Sequence, residues 1–423
     1  MGSDAAPAGA GRAPSAWLAT AGNALSQAAR PVVLLVCGIA YGPAVVGQLA
    51  TAFGLAVLAT VACYPSLGFA VLRHRGGVPL NQGLLRRMAF GLLVGTLLVA
   101  ALVVADAWTL RLAAQVRLDP VWLAWAVVLA PVTVAEQYAQ GLCSVGGALD
   151  RYSTAMLASR IGLLAASVAA AALHADPLWL LALAALGSLA VVARTATVLG
   201  PLPPGRSPRG LLRDGLAAAP NAWAWFLMAQ GAILLIQAFM GPHEAGLFTL
   251  AYLLLNLPVL ALQGVSMAWM ALAARHGPGD EWRRTRRLVP KLLLAHVACI
   301  ALLALAGEPV WTALFGPGLA PVFALLRAMA WGAPGFALAY LLLPQWTARG
   351  WFLRLSATYM ALALAYLAAV AAAAQAQRLD LAAYATAGLG LGLAAANLWA
   401  ARHWDRAPAA APGAEPANGV GSE

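Results

Sequence analysis

Long stretches of uninterrupted apolar residues constrain this chain more than any other feature. A bilayer-spanning helix needs about 20 predominantly apolar residues, because a rise of 1.5 Å per residue must cross roughly 30 Å of hydrocarbon. About twelve such runs can be marked, at 17–40, 44–72, 86–106, 120–145, 155–174, 177–199, 215–240, 244–274, 288–306, 320–345, 351–375 and 380–401. The composition agrees: 62% of residues are hydrophobic and 10% charged, against roughly 45–50% and 25% in soluble domains. Backbone polar groups in lipid must be satisfied internally, so runs of this length are helices. The expected fold class is an all-α membrane protein with about 12 transmembrane helices.

Four cysteines, Cys37, Cys63, Cys143 and Cys299, lie inside the runs without C-x-x-C spacing. They read as small apolar packing residues, so no disulfide, metal or cofactor is expected. Residues 1–16 and the tail at 402–423 are rich in Ala, Pro and Gly and are expected to be disordered. The first run leads straight into the second without a cleavage region, unlike a signal peptide.

The net charge of +11 could suggest a nucleic-acid partner, but its distribution points elsewhere. Arg73, Arg75, Arg86 and Arg87 fall in one loop, Arg151 in another, and Arg206, Arg209 and Arg213 in a third. Arg275, Arg283, Arg284, Arg286, Arg287 and Lys291 share the next, followed by Arg349 with Arg354 and by Arg402 with Arg406. The opposite loops carry only Arg111, Arg117 and Arg378. Under the positive-inside rule both termini and the even-numbered loops are cytoplasmic, in keeping with an even helix count. The densest basic stretch, WRRTRRLVPK at 282–291, has no folded basic domain around it. It reads as a surface for lipid phosphates or for the pyrophosphate of an incoming lipid-linked substrate, not for nucleic acid.

Two phrases repeat. GPAVVGQLATAF begins at Gly42 and GPHEAGLFTLAY at Gly241, and each closes one apolar run and opens the next on the outer face. Gly241 and Pro242 would make an outer turn, and Gly246 would permit close packing as the eighth helix begins. Downstream, Pro131, Gly147, Arg151 and Ser153 recur as Pro334, Gly350, Arg354 and Ser356. Two anchors at nearly equal spacing imply two pseudo-symmetric six-helix bundles, 17–199 and 215–401, joined by a cytoplasmic linker at 200–214. Six helices return the chain to the same side, so the halves are parallel repeats about an axis along the membrane normal.

The turn GPHEAGLFTLAY with its preceding helix NAWAWFLMAQGAILLIQAFM, the later LFGPGLAPVFALLRAMAWG, and TAGNALSQAARPVVLLVCGIAYGP near the start resemble the Wzx-type polysaccharide flippases of the MOP superfamily, relatives of MATE exporters. The resemblance runs from about Trp17 to Ala401 through helix turns. In the first copy, GPAVVGQ stands where the family usually places acidic and aromatic residues. The resemblance implies a MATE-like V shape in a bacterial cytoplasmic membrane. It also implies export of an undecaprenyl-pyrophosphate-linked oligosaccharide for surface polysaccharide such as O-antigen, with a polymerase and glycosyltransferases of the same pathway as partners besides membrane lipids.

A charge at membrane depth costs at least ~2.5–3.5 kcal/mol, so it is retained where a bundle interior or wet cavity receives it. Arg30, before Pro31, shares a helix face with Asn23 and Gln27 at spacings of three and four. This face is expected to line the lumen, with Arg30 on the substrate pyrophosphate because guanidinium binds phosphate oxygens in pairs. The alternative is a structural arginine paired with a neighbour or reaching an interface. In the seventh helix Asn221, Gln230 and Gln237 are the counterpart, the last two sharing a face that suits sugar hydroxyls or, equally, helix-to-helix hydrogen bonds. Arg327 is a further path candidate. Glu136 is a candidate coupling group, or a carboxylate paired with an arginine; Arg160 and His296 fall nearer the interfaces. No nucleophile–base pair, phosphate-binding loop or HExxH is present, so the chain does not read as an enzyme. A MATE-like exporter of small cations is the main competing reading, and a polysaccharide polymerase a lesser one.

Overall fold

The computed structural model describes residues 29, 31–63, 81–86, 89–91, 93–94, 97, 101, 119–145, 149–199, 201, 203–205, 211–276, 282–283, 285–315, 317–349 and 351–406. The expectations for residues 1–16, for Asn23, Gln27 and Arg30, and for the tail beyond 406 therefore lie outside the described residues.

The described residues are helical, with no strand among them. The helices are α1 (Pro31–Tyr41), α2 (Pro43–Cys63), the stub α3 (82–86), α4 (Pro120–Val145), α5 (Leu149–Ala172) and α6 (Leu178–Leu199). Then come α7 (Leu211–Phe226, a π turn at Leu227–Gly231, and Ala232–Phe239), α8 (Pro242–His276) and α9 (Val289–Phe315). Next, α10 runs in pieces from Pro317 to Ala348, followed by α11 (Phe352–Gln375) and α12 (Leu379–Arg406). Nine stretches are long and apolar enough to cross a membrane, and α1 and α2 supply two shorter apolar ones, among the described residues. The chain is thus an all-α membrane protein of the expected kind. Several ends differ from expectation: α5 begins at Leu149 rather than 155 and α7 at Leu211 rather than 215, while α9 continues to Phe315 rather than 306 and α12 to Arg406 rather than 401.

Local chemistry sets several helix starts. Asp119 Oδ1 accepts from the Val121 N–H at 2.8 Å and Asp176 Oδ1 from the Leu178 N–H at 2.9 Å, satisfying orphan donors at the starts of α4 and α6. Glu244 sits in the first turn of α8 and Asp380 in that of α12, where negative charge meets the positive end of the helix dipole. In α10 a 3-10 turn at Ala330–Gly332 sits just before Pro334. Proline lacks an N–H and its ring crowds the preceding turn, which tightens the helix there.

The helix order repeats in space. In the first half α2 packs on α4, α4 on α6, and α5 on α6; in the second α8 packs on α10, α10 on α12, and α11 on α12. The paired helices α5 and α11 start and end 203 residues apart, Leu149 with Phe352 and Ala172 with Gln375. The turns after them repeat as well. His174 (φ 51°) and Gln377 (φ 56°) are the left-handed residues of matching six-to-one turns. In these turns Ala175 N–H donates to Ala170 O and Arg378 N–H to Ala373 O, both at 2.9 Å.

The halves meet chiefly where α2 crosses α8. Gly42 (φ 84°) and Gly241 (φ 110°) are left-handed, a conformation open to glycine at little cost, and each is followed by proline as the first helical residue. Five residues after each glycine the helices touch backbone to backbone. A Cβ on Gly47 would lie 2.0 Å from the Pro242 carbonyl oxygen, and one on Gly246 1.7 Å from that of Pro43. The repeated phrase is therefore a reciprocal contact between the two halves.

Candidate functional site

α7 borders both halves, touching α2 on one side and α11 on the other. Its π turn inserts roughly one extra residue, displacing positions on its two sides by about 100° from a regular helix. Tyr252 of α8 brings its hydroxyl to 3.5 Å from the Met228 carbonyl within this turn. Gln230, half-buried in the same turn, points at α2: its Oε1 is 3.1 Å from where a Cβ on Gly54 would stand. Asn221 is buried, and its Oδ1 meets no partner among the described residues. Gln237 is fully buried. The three amides thus stay on α7, with Gln230 set against α2 beside Gly54.

Beside them the second half holds an aromatic and polar interior that periodicity alone did not single out. Trp225 lies 4.7 Å from Tyr340 and 5.7 Å from Tyr359, between ring centroids. Asn397 Nδ2 donates to Tyr359 Oη at 3.0 Å and to the Leu393 carbonyl at 2.8 Å, while its Oδ1 accepts from Trp346 Nε1 at 2.9 Å. Further along α11, the Tyr366 and Thr386 hydroxyls are 3.2 Å apart. Tyr359 and Tyr366 are seven residues apart and therefore on one face of α11. That spacing, in a helix rich in Ala and Leu, was the available signal.

The charged candidates have partners. Arg160 Nη2 donates to Glu136 Oε1 at 2.6 Å, joining α4 to α5 with side chains 4% and 3% exposed. Glu136 Oε2 has no partner among the described residues. Arg327 donates to Glu308 Oε2 at 2.5 Å, with both side chains substantially exposed. His296 is buried in α9. Among the described residues no three His, Cys, Asp or Glu side chains gather as metal ligands.

Solved structures with this architecture are found at low identity. A MOP superfamily transporter from Pyrococcus furiosus is 14% identical, with 92% of this chain and 95% of that chain covered and a TM-score of 0.61. An outward-facing multidrug resistance MATE family transporter is 14% identical, with 93% and 96% covered and a TM-score of 0.59. The inward-facing conformation of such a transporter gives 14%, 92% and 95%, and a TM-score of 0.58. No family model matches the chain, and no curated protein matches it. At such identities the likeness establishes the fold: this chain is built as MOP superfamily transporters are.

Proposed function

We propose that this protein is an alternating-access transporter that moves a lipid-linked, pyrophosphate-bearing oligosaccharide from the cytoplasmic to the outer leaflet of a bacterial cytoplasmic membrane. One observation carries the choice of substrate. The two described carboxylates well inside the helices, Glu136 and Glu308, are each neutralised by an arginine, Arg160 and Arg327. An exporter of organic cations needs an uncompensated negative charge in its path, since a desolvated cation is costly without one. What α7 and the second half offer besides is amide and aromatic: Gln230 against α2, buried Asn221, and Trp225 against Tyr340 and Tyr359. Amides hydrogen-bond sugar hydroxyls and aromatic faces pack against sugar rings.

In this reading Arg30, with Asn23 and Gln27, receives the pyrophosphate, and the α2–α8 crossing is the outer contact that separates when the cavity opens outward. Pathway glycosyltransferases and a polymerase would supply and consume the substrate. The Pyrococcus furiosus transporter is described as having a binding pocket of reverse polarity that suggests a different function. That description concerns a relative in fold, and it supports the idea that this architecture takes cargo of either polarity.

The test is a proteoliposome assay in which externally accessible sugar is read after loading polyprenyl-pyrophosphate oligosaccharide on the inner leaflet. Transport of this lipid, with organic-cation flux at background, is expected. Cation flux without lipid movement would instead establish the small-molecule exporter. Arg30→Ala is expected to stop lipid transport and Arg30→Lys to retain part of it; undiminished transport by the alanine variant at normal expression removes the pyrophosphate role.

A further inference from the structure

At the end of the second half that the charge pattern assigns to the cytoplasm, three separate segments converge on four tryptophans. Trp404 at the end of α12 packs against Trp282 of the α8–α9 loop at 5.5 Å, against Trp346 of α10 at 5.6 Å and against Trp351 before α11 at 6.4 Å, between centroids. Trp282, Trp346 and Trp404 are buried. This cluster is the floor of a cationic corner. Arg349 lies 5.6 Å over the Trp404 ring and Arg354 5.0 Å over that of Trp351. Arg283, Arg286 and Arg287 leave the segment that Trp282 anchors and are exposed.

In sequence the three segments are strongly basic even when their acids are counted. Segments 280–291, 349–354 and 402–406 carry Arg or Lys at 283, 284, 286, 287, 291, 349, 354, 402 and 406, against Asp280, Glu281 and Asp405. Apolar residues stand exposed among these charges, Leu288 at 45% and Leu353 at 70%. Exposed leucine beside exposed arginine, on a tryptophan base, is the chemistry of the headgroup layer rather than of open water. The repeated plan itself does not demand the arrangement. At the repeat spacing of 203, Trp346, Trp351 and Trp404 fall on Cys143, Ala148 and Pro201, so the first half carries no tryptophan at the matching positions.

We propose that this corner is a docking site for the headgroups of anionic phospholipids of the cytoplasmic leaflet. The tryptophans tie three segments together and the arginines meet the phosphates, with guanidinium offering paired donors to phosphate oxygens. Such a lipid would hold the second half at a set depth while the first half moves. The proposal does not depend on the identity of the cargo, because headgroup binding is measured without transport.

The test uses the full chain in nanodiscs, with bound lipids counted by native mass spectrometry. Phosphatidylglycerol is titrated against phosphatidylcholine, and polyprenyl pyrophosphate is a third arm. The wild type is expected to retain phosphatidylglycerol preferentially. R283Q/R287Q/R354Q is expected to lose about fivefold in affinity per charge, on the order of a hundredfold in all. These side chains are exposed, and an unchanged melting temperature in phosphatidylcholine verifies folding. R194Q, which removes an exposed arginine at the same end of the first half, is expected to bind as the wild type does. Equal phosphatidylglycerol retention by the wild type and the triple variant overturns the proposal. So does one-for-one displacement of phosphatidylglycerol by polyprenyl pyrophosphate, which would make the corner a substrate dock.

Discussion

The α4–α5 pair of the first half and the α10–α11 pair of the second share one backbone plan but fill it with opposite chemistry. Glu136 and Arg160 form a buried ion pair; 203 residues on, Ala339 and Ala363 are both fully buried. Where the second half joins Tyr359, Asn397 and Trp346 by hydrogen bonds, the first has Met156, Arg194 and Cys143. A contact that one copy manages with two alanines is not required by the architecture. It follows that the ion pair and the aromatic network are the parts each half has specialised, while the α2–α8 crossing, alike in both copies, is what the architecture keeps.

The largest effect is expected at the shared feature. Gly47→Val or Gly246→Val pushes a side chain into the carbonyl of Pro242 or Pro43. Overpacking of this kind costs about 1–3 kcal/mol, so the close contact of α2 with α8 weakens by roughly 5- to 150-fold in population. Spin-label distances across the α2–α8 contact should lengthen. Equal responses of the two variants would support the symmetry, and a response from one alone would break it.

Next in size is the ion pair. Glu136→Ala leaves Arg160 buried and unpaired, at a cost of about 3–5 kcal/mol, whereas Glu136→Ala with Arg160→Ala copies the second half and should recover most of that loss. Unfolding in detergent reads both; a double variant as unstable as the single would show that the first half has no alanine solution.

Asn397→Leu should cost about 1–3 kcal/mol by leaving the Trp346 N–H and Tyr359 hydroxyl short of a partner, against at most ~0.5 kcal/mol for Arg194→Leu at the matching exposed position. The smallest effect is expected at the left-handed turns. His174→Gly relieves a conformation unfavourable to side chains and should gain about 0.5–1 kcal/mol, net of the entropy of the unfolded glycine. Gln377→Gly should gain less, because it also removes the 3.1 Å hydrogen bond from Gln377 Nε2 to the Phe239 carbonyl.

The helix runs were readable because lipid imposes length and apolarity residue by residue. The crossing was half readable. Left-handed glycine before proline is a local demand that shows twice as Gly-Pro, and Gly246 was expected to pack closely, but its partner, the Pro43 carbonyl, is fixed only by the docking of the halves. The pairing of Glu136 with Arg160, 24 residues apart, depends on how α4 and α5 rotate against each other, which composition does not encode. The turns at His174 and Gln377 were invisible, since neither residue advertises positive φ. Likewise Trp282 and Trp404 meet only through tertiary structure. The amides of α7 were found as polar exceptions in an apolar helix, whereas the π turn that re-aims them carries no such mark.

The crossing at Gly47 and Gly246 has the geometry of an isologous interface, in which one patch serves both partners. Two identical copies associated side by side would close such a contact with a single glycine used twice. Carrying both copies in one chain doubles the target for mutation, since either glycine can be lost alone. It also frees the remainder of each copy from being its own partner, which is the condition under which one half could acquire an ion pair and the other a tryptophan floor.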